Sequence, residues 1–112
     1  MHEMSLAEGV LQLAEDTARR EKAQRIKLIV LEIGRLSSVE PEALSFCFEA
    51  VARGSMAQGA GLEIIDVQGA GWCMLCAETV PMQERYDACP SCGHPLEVTS
   101  GTEMRVREVE IE

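Results

Sequence analysis

Cys73-Met74-Leu75-Cys76 and Cys89-Pro90-Ser91-Cys92-Gly93 decide how this chain is read. Two CxxC pairs separated by twelve residues form a tetrathiolate zinc signature. Zn²⁺ has no ligand-field preference and takes four thiolates in a tetrahedron, at roughly 2.3 Å per Zn–S bond. Each CxxC turn puts two sulfurs on one side of the metal without a long loop to close. Gly93 can adopt positive φ and lets the second knuckle turn back. Four thiolates leave no open coordination position, so the zinc is expected to be structural. The competing readings are a redox dithiol and a pair of disulfides. Between Trp72 and Pro95 the apolar residues are few, chiefly Trp72, Met74, Leu75, Val80, Met82 and Tyr86. So short a segment cannot build an adequate core, and metal binding supplies folding energy instead.

Outward from the cysteines, the chain of 112 residues allows one compact domain or two small ones. Its net charge of -9 argues against a duplex nucleic-acid binder, which needs basic residues to displace counterions. The same charge disfavours an acidic membrane surface and suits a metal cation or a basic protein partner. No apolar run reaches transmembrane length, and the polar N-terminus does not read as a signal peptide. Five cysteines, four of them in the zinc pattern, suit a reducing cytosol, so a cytoplasmic location is expected.

Upstream, Ser5-Leu6-Ala7-Glu8 reads as a capping box, and Leu6, Val10, Leu13, Ala14 and Thr17 recur at helical spacing. This predicts a helix over 6–22 with Met1–Met4 extended before it. Ile26–Ile33 is apolar on both faces and reads as an interior strand. Pro41 fits the first turn of a second helix with Leu44, Cys47, Phe48 and Val51 on its apolar face; Gly54 ends it. Leu62–Val67 is a further strand. Gly69-Ala70-Gly71 reads as a hinge into the cysteine segment. Leu96–Val98 is a short strand, and Ser100-Gly101 a turn. Met104–Ile111 is a last strand whose apolar parity shifts between Val106 and Val109, the mark of a bulge. It is expected to return to the first sheet, making the zinc segment an insertion in an α+β domain.

A second group of donors stands at the N-terminus. The terminal amine, the His2 amide and the His2 imidazole can close two fused chelate rings, a planar arrangement suited to Ni²⁺ and Cu²⁺. Glu3 or water can fill the fourth place. A histidine after Met1 is otherwise commonly an idle surface residue. His94 reads as a knuckle-loop residue or as a hydrogen-bonding neighbour of a ligand sulfur, Cys47 as a small buried hydrophobe, and the methionines, Met4, Met74 and Met82 among them, as packing. Glu32 and Glu49 are candidates to orient groups near the N-terminus. No Walker GxxxxGK[ST] sequence and no Ser/His/Asp or Cys/His nucleophile set occurs, so a carrier and not an enzyme is expected.

Several stretches together carry a resemblance. They are Met1-His2-Glu3-Met4-Ser5-Leu6, Leu31-Glu32-Ile33-Gly34-x-Leu36-Ser37, Ser45-Phe46-Cys47-Phe48-Glu49, Gly54-Ser55-x-Ala57-x-Gly59, both CxxC pairs, Gly101-x-Glu103-Met104 and Val109-Glu110-Ile111-Glu112. In this order and over the whole length, the chain resembles the HypA/HybF family of nickel metallochaperones for nickel–iron hydrogenase maturation. The resemblance implies an α+β fold: a nickel-binding domain of two helices on a three-stranded sheet, over 1–69 and 101–112, and a zinc-ribbon-like domain over 70–100. It implies Ni(II) cargo on Met1, His2 and Glu3, and structural Zn(II) on Cys73, Cys76, Cys89 and Cys92. It implies delivery to the hydrogenase large-subunit precursor together with the HypB GTPase, with urease maturation proteins as clients in some members. Neither nucleic acid nor membrane is expected as a partner, and the chain is expected as a monomer or weak homodimer. Some archaeal members add a histidine ligand from a longer loop between the CxxC pairs; the loop here is short and has none. The alternative is a zinc-ribbon interaction adaptor that carries no nickel.

Overall fold

The structure, a computed structural model, describes residues 3–112. Helix α1 (Glu3–Arg20) and helix α2 (Pro41–Ala52) cover one face of a three-stranded sheet made of β1 (Ile26–Gly34), β2 (Gly61–Val67) and the last strand, β6 (Met104–Ile111). The strands between them are β3 (Gly69–Cys73), β4 (Glu78–Met82) and β5 (Glu97–Ser100), which form a second sheet. The molecule is elongated, 54 × 24 × 16 Å. Among the described residues no helix is long and apolar enough to cross a membrane.

In the first sheet the order is β2-β1-β6, so β1 is interior. It runs parallel to β2, joined through α2, and antiparallel to β6. Alternation sends Ile29, Leu31 and Ile33 of β1 into the core beneath the helices, with Ala7, Val10 and Ala14 from α1 and Leu44 and Phe48 from α2. The parity shift in β6 is a bulge: Val30 faces Glu108 and Leu31 faces Val106, leaving Arg107 as the extra residue.

Two helix details differ from expectation. Helix α1 begins at Glu3, so Glu3 and Met4 are helical and Ser5 lies inside the helix instead of capping it. Good helix formers precede Ser5, and an acidic residue in the first turn suits the dipole. The Glu3 carboxylate also accepts the Glu40 backbone N–H at 3.2 Å, which ties the helix start to the start of α2. Leu13, at helical spacing with the core residues, is half-exposed at the border of the helix. In α2 the cap is Glu40, whose side chain accepts the Glu42 N–H, with Pro41 following at the first helical position. Phe48 is buried, whereas Phe46 points to solvent.

The Gly69–Gly71 stretch is not a hinge loop. It is strand β3, at the centre of the second sheet in the order β4-β3-β5. Glycine serves close approach here: a Cβ on Gly71 would lie 2.5 Å from Met82 Sδ and 2.9 Å from Leu96 Cβ. The chain crosses between the sheets twice, at Gln68–Gly69 and at Ser100–Gly101, and the Ser100 hydroxyl donates to the Gln68 carbonyl at 3.0 Å. Beside the crossings Leu36 is buried, and its N–H donates to the Gly101 carbonyl at 2.7 Å. Gly101 itself has φ 106, a value that favours glycine.

Candidate metal centre

Strand β3 ends at Cys73, and a tight turn carries Cys76 before β4 begins at Glu78. The Cys76 N–H points back at Cys73 Sγ, 3.4 Å away, and Ala77 closes the turn at φ 53. The second knuckle is built alike. The Gly93 N–H donates to the Cys89 carbonyl at 2.8 Å with Gly93 at φ 76, and the Cys89 N–H donates to the His94 carbonyl at 2.9 Å. An isolated bridge between Ala88 and Pro95 closes the base of this knuckle.

These turns converge Cys73, Cys76, Cys89 and Cys92, whose Sγ atoms lie within 4.8 Å of one another. Tetrahedral zinc with bonds of roughly 2.3 Å requires sulfurs roughly 3.8 Å apart. The Cys73–Cys92 sulfurs stand 3.6 Å apart and the Cys76–Cys89 sulfurs 3.9 Å apart. All five cysteines are free thiols, and these separations far exceed a disulfide bond of about 2.05 Å. The cluster fits a structural zinc ion, which would supply folding energy and no reaction step. Cys73 and Cys89 are buried, Cys76 is half-buried and Cys92 is exposed, so the centre sits at the surface of the second sheet.

Electrostatics within the cluster point the same way. The Cys92 and Ser91 backbone N–H groups aim at the Cys89 sulfur and lower its thiol to about 7. Cys76 is pushed up to about 12, because its sulfur shares hydrogen bonds first with Cys92, then with Cys73 and Cys89. The Cys89 thiolate forms readily, whereas neighbouring sulfurs hold the Cys76 thiol up. A divalent cation removes that opposition, and acid competes with it for the same sulfurs.

The remaining predicted residues separate. Met1 and His2 lie outside the described residues; Glu3 is held at the head of α1 against Glu40. His94 contributes backbone, its carbonyl to Cys89 and its N–H toward Cys92. Cys47 is half-buried against the core of the first sheet, away from the four-cysteine cluster. Met82 is buried, whereas Met4 and Met74 are exposed. Glu32 lies on the sheet face away from the helices, where it pairs with Arg105 and Arg107. Glu49 sits on the exposed side of α2.

Two supports have no clear sequence signal. The Arg85 side chain, in the segment between β4 and Cys89, donates to the Leu36 carbonyl at 3.0 Å and ties the cysteine unit to the turn that follows β1. The Asp87 carboxylate accepts the Gln83 and Glu84 N–H groups at 2.7 and 3.0 Å, and those bonds hold its pKa below the usual carboxylate value. Strand β4 is also new, although the alternation of Val80 and Met82 hints at it.

Comparisons with known proteins agree over the full length. Residues 1–111 match the family described as "Hydrogenase/urease nickel incorporation, metallochaperone, hypA". Hydrogenase maturation factor HypA of Dechloromonas aromatica is 77% identical, with 100% of both chains covered. The same-named protein of Albidiferax ferrireducens is 62% identical, again with 100% of both chains covered. The solution structure of the Ni metallochaperone HypA from Helicobacter pylori superposes with a TM-score of 0.68 at 28% identity, covering 99% of this chain and 97% of that one. These relatives are maturation factors and not catalysts, and hydrogenase maturation implies contact with other maturation components. The chain belongs to the HypA family, the nickel metallochaperones of hydrogenase and urease nickel incorporation.

Proposed function

We propose that the N-terminus is the nickel site, with the Met1 amine, His2 and Glu3 as donors, and that the chain hands Ni(II) to the nickel–iron hydrogenase large-subunit precursor. HypB GTPase is the proposed working partner, with urease maturation proteins as a second set of clients and the cytoplasm as the location. Residues 1–69 and 101–112 then act as the nickel unit and residues 70–100 as the zinc unit. The observation that supports this most is the fixing of Glu3 by the Glu40 N–H, which anchors the residue next to His2 where the two helices begin. Both helix starts carry positive partial charge, and Glu3, Glu40 and Glu42 offset it for a cation. Terminal donors exchange one at a time, which suits transfer. A neutral imidazole is required, so acid releases the metal.

Calorimetric nickel titration of untagged, zinc-loaded protein beside His2→Ala tests this. Expected is about one nickel per chain, lost in the variant with zinc content unchanged. Equal binding by both proteins moves nickel elsewhere and favours the adaptor reading. That reading has one observation of its own: Met74 and Leu75, between the first two cysteines, are 71% and 70% exposed.

A further inference from the structure

β6 borders the first sheet and pairs only with β1 among the described residues, so its outer edge is unpaired. Charges on an edge strand ordinarily prevent association, because a neighbour of arbitrary sequence leaves them unmatched. The charges on β6 are ordered differently. Its sequence is Met104-Arg105-Val106-Arg107-Glu108-Val109-Glu110-Ile111. The first half carries both arginines and the second half both glutamates, at mirrored positions. Laid antiparallel against an identical strand about the point between Arg107 and Glu108, it pairs Arg107 with Glu108, Val106 with Val109, Arg105 with Glu110 and Met104 with Ile111. Every charge meets its opposite and every apolar residue meets an apolar one.

The faces agree as well. The register with β1 sets Met104, Val106 and Val109 opposite Ile33, Leu31 and Ile29, on the helix side. Ile111 packs on the same core. Arg105 lies opposite Glu32 and Glu110 opposite Leu28, on the far side, where Arg107 also reaches Glu32. The mirrored register therefore keeps apolar pairs on one face and ion pairs on the other. The bulge at Arg107 falls at the centre of symmetry, where both copies carry the same extra residue.

The helix layer leaves room for such a neighbour. Between α1 and β6 runs a groove of about 360 Å³, lined by Leu6, Gly9 and Leu13 on one side and Met104 and Val106 on the other. Leu13 and Met104 are 48% and 47% exposed, and a Cβ on Gly9 would meet nothing within 4 Å. Helix α1 lies over β1 and β6. A copy continuing the sheet places its own α1 two strand spacings away, about 10 Å, which is a helix-packing distance. Gly9 and Leu13 would then front that seam.

We infer that β6 is a homodimer edge: two copies join through antiparallel β6–β6 pairing into one six-stranded sheet, with the two α1 helices side by side. The occupant is a second copy because the charge order complements itself. Opposite-charge pairs directly across strands favour association, and like charges there oppose it.

The test is sedimentation velocity on the untagged, zinc-loaded chain over a concentration series, with amide exchange of β6 followed in parallel. Expected is a monomer–dimer equilibrium in which β6 amides become protected as concentration rises. Arg107→Glu sets glutamate against Glu108 twice per dimer and is expected to raise the dissociation constant roughly tenfold or more. The double variant R107E/E108R restores opposite pairing and is expected to return it to within about threefold of the original. Circular dichroism and zinc content check that each variant folds; if a variant fails to fold, the concentration dependence of β6 exchange in the unaltered chain decides. A chain that stays monomeric, a dimer without β6 protection, an R107E dimer as tight as the original, or a folded double variant that stays weak each overturns the proposal.

Discussion

The two sheets hold together by different means. The first buries a continuous apolar cluster from both helices and three strands, with Ile26, Ile29, Leu31 and Leu44 fully enclosed. The second buries little beyond Val80, Met82, Cys73 and Cys89, and leaves Met74, Leu75 and Tyr86 in solvent. Burial suffices for the first; the second brings four cysteine sulfurs together in a set that fits a zinc ion. One chain thus contains a fold made by solvent exclusion and a fold made by coordination, and each should fail separately.

Removing zinc with a chelator gives the largest expected effect. Structural zinc contributes roughly 10–16 kcal/mol in small metal-folded modules. Residues 73–92 should become susceptible to protease while amides of β1 and α2 stay protected, as limited proteolysis and hydrogen exchange would show. Unchanged resistance of 73–92 would break the comparison. Next comes Leu44→Ala, which hollows the first core at a cost of about 2–5 kcal/mol. Thermal melting should fall by many degrees with zinc content unaltered. Gly71→Ala should do the converse on a smaller scale. Its methyl group meets Met82 Sδ at 2.5 Å, for a cost of about 1–3 kcal/mol felt in zinc affinity before it is felt in the first sheet. The smallest effect is expected from Asp87→Asn. Because the folded Asp87 pKa is lowered, its contribution is complete above the unfolded value of about 3.9 and is lost as pH falls through the lower folded value. The variant should flatten that acid-side loss and shift Tm near neutrality by no more than about 2 °C.

Much of this contrast is legible in the sequence because its signals are chemical or periodic. Paired CxxC turns announce a tetrahedral site before any geometry is known. The alternation of Ile29, Leu31 and Ile33, and the parity break between Val106 and Val109, mark the interior strand and the bulge. The misreadings fall where one residue type serves two physical purposes. Glycine at Gly69 and Gly71 signals freedom when exposed and close contact when buried, and only the packing of Met82 and Leu96 decides. Ser5 and Glu8 match a capping box, yet the helix starts at Glu3, where a carboxylate meets an N–H donor 37 residues away. Strand β4 escapes detection because its few apolar residues and Pro81 give a weak signal, and its order comes from its pairing with β3 across the cysteine turn. Arg85 is opaque for the same reason, since its partner is the Leu36 backbone carbonyl, 49 residues away in the turn after β1.

The paired crossings at Gln68–Gly69 and Ser100–Gly101 carry a mechanical consequence. A body suspended from one strand spins freely about it. A body suspended from two adjacent strands, cross-tied by the Ser100 hydroxyl on the Gln68 carbonyl, is held at two points and cannot spin about either. The orientation of the cysteine unit is therefore set by the pair of crossings together with the Arg85 tie to the Leu36 carbonyl, and not by any single backbone connection.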